Sequence, residues 1–217
     1  MRITVAIDGP AGAGKSTIAK MVGEKFNLMY INTGSMYRAV TLKAMEKDIS
    51  YTDVNNLCDL IDTMEMHFEN DELILNGKNV NEKLTMPNIS SNVSNYASIA
   101  EVREKLVYLQ RQISKKYNVI MDGRDIGTVV LKDAAFKFFL TASPEERARR
   151  RYKELIAKKI DVNYEHILDE IKRRDYIDSN REIDPLTKAK DAIEIDSTSM
   201  TIKEVVEKIC THITLNL

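Results

Sequence analysis

Several residue types are scarce in this chain, and each scarcity excludes something. Its 217 residues include only two cysteines and three histidines. Cys58 and Cys210 lie far apart with no C-x-x-C spacing, so buried or idle thiols are expected rather than a disulfide framework. His67, His166 and His212 are scattered, which gives little support to a metal-ligand cluster or a histidine-based triad. No apolar run approaches the ~18 residues of a membrane span. Excess charge of one sign is also missing: 32 Lys and Arg face 33 Asp and Glu, a net −1, so no global field draws the protein onto nucleic acid or an anionic membrane. There is no repeat, low-complexity tract or linker rich in Gly, Pro or Ser. A first strand starting at Ile3 leaves no room for a targeting peptide, and a cytoplasmic location is expected.

Glycine is scarce too, at eight residues. Six of them (Gly9, Gly12, Gly14, Gly34, Gly123 and Gly127) are expected in turns beside candidate sites, where a backbone must come close to something. Hydrophobic residues at 43% and charged ones at 30% are ordinary for a soluble protein. A chain of this length buries roughly 70% of its unfolded surface, enough for a core without disulfides.

The strongest motif is Gly9-Pro10-Ala11-Gly12-Ala13-Gly14-Lys15-Ser16, an unmismatched Gly-x-x-x-x-Gly-Lys-Ser/Thr pattern. It follows the apolar run Ile3–Ile7 and precedes the helical pattern that begins at Thr17. Backbone N–H groups of such a loop turn inward around a phosphate, and the helix N-terminus adds a field favourable to anions. Lys15 is placed to reach the β- and γ-phosphates of a nucleoside triphosphate, and the Ser16 hydroxyl to ligate Mg2+. The competing reading is a glycine-rich turn that binds nothing.

Four further apolar runs, Leu28–Ile31, Val119–Met121, Phe136–Leu140 and Ala192–Ile195, alternate with helical periodicity. That pattern predicts an α/β fold, a P-loop kinase core with a five-stranded parallel sheet flanked by helices. Ligands then bind beyond the carboxyl ends of the strands. Glu65–Glu69 and Glu72–Leu75, joined by Asn70-Asp71, read as a β-hairpin, and Gly77–Val80 as a third short strand. Helices are expected across Pro87–Ala97 and Ile99–Tyr117. Ser143-Pro144-Glu145-Glu146 is a helix start, with serine capping and proline at the first position. The predicted division is a core over 1–62, an insertion over 63–100, core again over 101–143, a helical lid and acceptor-binding helix over 144–183, and a last strand and helix over 184–217.

Arginines recur beside carboxylates and hydroxyls. Asn32–Arg38 follows the second strand and opens a helix whose hydroxyls and N-terminus could hold an anion, with Arg38 as a forked donor. A capped helix with Tyr37 in the core is the equal alternative. Asp122–Thr128 presents Arg124 and Asp125 at the third strand's end, unless they form only a local ion pair. Arg103 lies on the preceding helix, as a ligand group or a solvated charge. Arg174, Asp178 and Arg181 fall at i, i+4 and i+7, on one helical face, which a salt-bridged surface would also explain. Arg147 and Arg151 are one turn apart on the lid and are expected to swing over the phosphates; a solvated face balanced by Glu145, Glu146 and Glu154 is the rival.

Ile7–Thr17, Thr33–Arg38 and the Gly-Arg-Asp-x-Gly-Thr-Val-Val stretch 123–130 resemble the bacterial cytidylate kinases, a family of nucleoside monophosphate kinases. The likeness continues through Glu145–Ala148, Arg174–Arg181 and Asp196-Ser197-Thr198, and so spans essentially the whole chain. It implies transfer of the γ-phosphoryl group of ATP to CMP or dCMP, with Mg2+, through a monophosphate-binding insertion and a mobile lid. It implies a monomer acting on small molecules, with neither nucleic acid nor membrane as partner. The same resemblance places Arg38, Arg124 and Arg181 on the CMP phosphate, Arg174 and Asp178 on the sugar, and Ser94, Arg103 and Asp125 at the base, with Thr33 and Tyr37 beside them. Lys15, Arg124, Arg181, Arg147 and Arg151 form the implied catalytic set, and residues 9–17, ending at Thr17, the donor loop. Thr33 keeps the hydroxyl of a position where serine is also found. Ile177 and Ser179 stand where relatives can carry arginine. A kinase for UMP, dTMP or a metabolite is the nearest alternative. A nucleotide switch or motor is more remote, since an Asn-Lys-x-Asp motif and an apolar strand ending in Asp-Glu are both lacking.

Overall fold

The computed structural model describes residues 2–217. Five parallel strands form the main sheet: β1 (Thr4–Asp8), β2 (Met29–Asn32), β6 (Val119–Gly123), β7 (Phe136–Thr141) and β8 (Ile193–Asp196), ordered β2-β6-β1-β7-β8. Each expected strand is present to within two residues. The central strand β1 places the phosphate loop at the middle of the sheet's carboxyl edge, with Asp8 beside Gly123 of β6 and Phe139 of β7.

Both faces of the sheet are buried, and the pleat sorts the side chains between them. Val5 and Ile7 of β1 and Ile120 of β6 join a core beneath α1 (Lys15–Phe26) and α9 (Ile202–Leu215). Ala6, Val119 and Met121, one residue out of phase, join the opposite core with α2 (Thr33–Glu46), α3 (Val54–Asp62) and α6 (Ala100–Ser114). Because most residues of the central strands pack against one layer or the other, these strands read as continuous apolar runs.

The range 63–100, expected to be an insertion, contains the antiparallel sheet β3 (Met66–Glu69), β4 (Glu72–Leu75) and β5 (Lys78–Asn79), then α4 (Asn81–Leu84) and α5 (Pro87–Ala97). Asn70 and Asp71 both take positive φ, 48° and 64°, as a two-residue hairpin turn of this hand requires. Phe68, Leu73, Leu75, Ile89, Val93 and Tyr96 belong to the same core as α2, α3 and α6. This segment is thus packed continuously with the sheet's neighbouring layer.

Residues 144–183 divide into α7 (Pro144–Ala157) and α8 (Tyr164–Asn180), with Lys159 in the left-handed region between them. The Ser143 side chain accepts from Glu146 N and caps α7 as its sequence predicts. Ala148, Leu155, Ile167, Leu168 and Ile171 form a small third core, separate from the other two.

Three of the six glycines expected in turns lie within regular elements instead. Gly34 is the second residue of α2, Gly123 ends β6, and Gly127 lies in a single π-helical turn, Ile126–Val130. The extra residue in that turn lets the chain leave β6 and cross beside β1, where Asp8 receives its N–H groups.

Candidate active site

Elements from all three cores meet at a cleft of ≈ 780 Å³ at the carboxyl edge of the sheet. At one end lies the phosphate loop. Gly9 has φ +146°, and a Cβ there would stand 1.9 Å from the Leu140 carbonyl oxygen, so this position admits only glycine. Gly14 is left-handed at φ 90° and precedes α1 without any side-chain cap. The first-turn N–H groups of α1 therefore have no side-chain acceptor, an arrangement suited to a phosphate. Lys15 lies across this loop, with its Nζ donating to the Pro10 carbonyl at 2.7 Å. Burial pushes its pKa well below that of an ordinary lysine, and the nearby Arg124 cation pushes it the same way.

A polar cluster stands beside Ser16. The Ser16 hydroxyl donates to Asp122 Oδ2 at 3.1 Å, and Asn32 Nδ2 donates to Ser16 Oγ at 3.3 Å. Tyr30 Oη donates to Asp122 Oδ1 at 2.8 Å. Among the described residues no group of three or more His, Cys, Asp or Glu could hold a metal ion alone. One carboxylate and one hydroxyl beside a phosphate loop nevertheless fit Mg2+, which keeps water and substrate phosphates among its ligands.

At the other end two ionic networks line the cleft. In the first, Asp178 accepts from Ser94 Oγ at 3.0 Å and from Arg124 Nε at 2.8 Å. Burial opposes the Asp178 charge, but Arg124 and Arg174 outweigh it and hold the carboxyl below its usual range. In the second, Arg103 is 1% exposed. Its Nη2 is bonded to Asp125, its Nε donates to Asp184 at 3.1 Å, and its Nη1 to the Ala97 carbonyl at 3.2 Å. Arg181 donates to the Asp184 carbonyl and lies 3.7 Å from Asp125. The Tyr37 ring stands 5.6 Å from the Arg103 guanidinium carbon.

Two arginines in this cleft are incompletely paired. The Nε atoms of Arg38 and Arg174 are buried without a hydrogen-bond partner. Burial lowers the pKa of both, that of Arg174 to about 9. Asp178 opposes the shift at Arg174, while Arg124 and other nearby arginines add to it at both. A buried unpaired donor costs about 1–3 kcal/mol, more on a cation, and mutual repulsion adds to that cost. Such a cluster is satisfied by an anion.

The structure brings most of the expected residues to this cleft: Thr33, Tyr37, Arg38, Ser94, Arg103, Arg124, Asp125, Arg174, Asp178 and Arg181, together with Ala11 to Thr17 of the phosphate loop and α1. Gly9 and Pro10 shape the loop from behind. The Asn32 side chain caps α2 by accepting from Ser35 N, and the Thr33 hydroxyl donates to the Asp122 carbonyl at 2.8 Å, so the N-terminus of α2 is internally satisfied. Arg103 and Asp178 are buried rather than solvated. Arg181 is not on the helical face of Arg174 and Asp178: it follows α8 in an extended conformation, φ −63° and ψ 144°, and turns its side chain back to Asp184.

The two arginines expected on a lid, both on α7, behave differently from one another. Arg151 lines the cleft, paired to Glu154 at 2.8 Å and to the Thr85 carbonyl at 3.0 Å. Arg147 is 3% exposed, is not among the residues lining the cleft, and pairs with Asp175 rather than with any glutamate of its own helix. Sequence reasoning placed Asp8 and Asp122 at strand ends but gave no role to them or to Asp175 and Asp184. The first two end parallel strands at the ligand edge, a usable signal. Nothing local marks Asp175 and Asp184, whose partners are distant in sequence.

The cytidylate kinase profile matches residues 5–215. The chain belongs to the cytidylate kinase family. A cytidylate kinase of Clostridium perfringens is 73% identical over 210 residues, covering 97% of each chain. One from Clostridium acetobutylicum is 67% identical over 213 residues, covering 98% of each. Among solved structures, shikimate kinase from Bacteroides thetaiotaomicron matches with TM-score 0.54 at 14% identity, over 99% of each chain. That likeness concerns the fold, which the family shares with other phosphate-loop kinases.

Proposed function

We propose that this chain transfers the γ-phosphoryl group of ATP to CMP or dCMP, yielding ADP and CDP or dCDP. The observation that carries the reading is a single cleft with the phosphate loop and Lys15 at one end and the unpartnered guanidinium nitrogens of Arg38 and Arg174 at the other. Membership of the cytidylate kinase family supports the choice of acceptor. No helix among the described residues is long and apolar enough to cross a membrane. The same reading carries a monomeric cytoplasmic enzyme, checked by sedimentation and cell fractionation.

The chemistry needs little proton handling, because the attacking oxygen already belongs to an ionised phosphate. That oxygen bonds to the γ-phosphorus as the bond to the β-bridging oxygen breaks, and ADP leaves with the electron pair. The transition state is loose and in line, so the work lies in positioning and charge neutralisation. The first-turn N–H groups of α1 and Lys15 hold the β- and γ-phosphates. Arg38, Arg124 and Arg181 hold the acceptor phosphate, with Arg174 and Asp178 toward the sugar, and Arg151 reaches the transferring group from the lid. Mg2+ would be held by Ser16 and Asp122 and would supply neutralisation of the charge developing on the transferred group.

Ser94, Arg103 and Asp125 face the base. Cytosine offers an amino donor where uracil offers a carbonyl, and the carboxylate of Asp125 is an acceptor only. A mismatch there costs roughly 1–3 kcal/mol, which gives preference rather than exclusion. In a coupled assay of ADP release, CMP and dCMP are expected to turn over faster than UMP or dTMP, and only with Mg2+. Release of ADP at the same rate with no acceptor would overturn the reading. Asp125→Asn is expected to narrow the CMP-to-UMP ratio of kcat/KM about tenfold or more.

A further inference from the structure

Arg147 connects three parts of the molecule. Its Nε donates to the Ala142 carbonyl at 2.9 Å, at the end of β7. Its Nη1 donates to the Ala11 carbonyl of the phosphate loop at 3.0 Å. The guanidinium then closes as a fork on Asp175 of α8, Nη1 to Oδ1 at 3.0 Å and Nη2 to Oδ2 at 2.6 Å. The loop lies directly against it: a Cβ on Gly12 would stand 3.2 Å from Arg147 Cβ. Four of the five guanidinium N–H groups are occupied in this way.

Asp175 is flanked by groups of the other substrate's site. Arg174 precedes it on α8, and Asp178, three residues on, carries Ser94 and Arg124. The donor loop and the acceptor helix, 164 residues apart in sequence between Ala11 and Asp175, therefore share one buried cation. A forked arginine–carboxylate pair fixes orientation as well as distance, so α8 and the Ala11 peptide cannot shift independently while it holds.

We infer that the Arg147–Asp175 pair is a positioning device that couples the two nucleotide sites. A triphosphate seated in the loop fixes the Ala11 peptide and, through Arg147, the angle at which α8 presents Arg174 and Asp178. A monophosphate held by α8 fixes the loop in return. The effect is reciprocal, because each ligand must change the other's affinity by the same factor. This inference rests on the kinase reading, and its test separates the two.

Calorimetry on the full chain would measure a nonhydrolysable ATP analogue with and without saturating CMP, and CMP with and without the analogue. In the native protein each ligand is expected to tighten the other about 5- to 150-fold. In Asp175→Asn that factor is expected to fall to about one, while the affinities for each ligand alone change less than about threefold. Asp175→Glu, which restores a carboxylate, is expected to regain most of the coupling. Equal coupling in Asp175→Asn and the native protein would overturn the inference. So would its absence in the native protein, or its loss in Asp175→Glu at an unchanged melting temperature. If Asp175→Asn failed to fold, the same measurements on Arg147→Lys, which keeps the charge but not the fork, would decide between these outcomes. Failure of native protein to take up CMP at all would instead refute the kinase reading.

Discussion

Arg38 and Arg174 illustrate a conflict that only function resolves. Their Nε atoms are buried and unpaired, and burial, aided by repulsion from neighbouring arginines, lowers their pKa. A neutral side chain at either position removes both penalties. Arg174→Gln is expected to raise the unliganded stability by about 1–3 kcal/mol, since it removes a buried guanidinium nitrogen that has no partner. For a chain of this size that is roughly 2–4 °C in Tm per kcal/mol, read by thermal melting, while CMP affinity falls at least tenfold. A lower Tm in that variant would show that the arginine is structurally satisfied after all.

Asp8 makes a different residue-scale prediction. Its oxygens accept from Ile126 N and Gly127 N, both at 2.7 Å. Burial nevertheless pushes its pKa from 3.8 to about 7, against the pull of those N–H groups. The folded state therefore binds a proton that the unfolded chain has released. Between pH 4 and 7 this group makes stability fall as pH rises, by up to about 1.4 kcal/mol per pH unit, and above 7 its effect is constant. Asp8→Asn is expected to flatten that part of the stability–pH curve measured by urea unfolding. An unchanged slope would place the titration elsewhere.

Among the elements, β1 and its loop were the most legible. An apolar run of period-free β character, three glycines and Lys15-Ser16 specify a strand, an anion-binding turn and a helix through local preferences alone. The closest approach within this element is at Gly9. Gly9→Ala is expected to cost about 3 kcal/mol or more, or to leave the protein insoluble, because positive φ and a backbone overlap act together. The π-helical turn 126–130 was not legible. Its sequence suggests an ordinary glycine turn, and its shape follows from a carboxylate, Asp8, more than a hundred residues earlier.

In the whole molecule, stability is divided among three cores, and the smallest lies between α7 and α8. Five buried residues and a few half-buried neighbours support that pair, so it should open at lower free energy than the sheet. Ile171→Ala is expected to destabilise this unit by about 2–5 kcal/mol. Hydrogen exchange should then show α7 and α8 losing protection before β1 and β6. Uniform loss across the sheet would mean that α7 and α8 are not a separate cooperative unit.

Composition, periodicity and the spacing of glycines determined the layered α/β class, the order of the elements and the position of the donor loop, because each depends on contacts within a few residues. The partners of the arginines were decided by the fold alone. Arg147 and Arg151 are one helical turn apart and chemically identical, yet one is locked between the phosphate loop and Asp175 and the other lines the cleft. Arg181 reaches its site only because the chain leaves α8 extended. An ion pair depends on distance through space and on exclusion of water, and neither is fixed until distant segments pack.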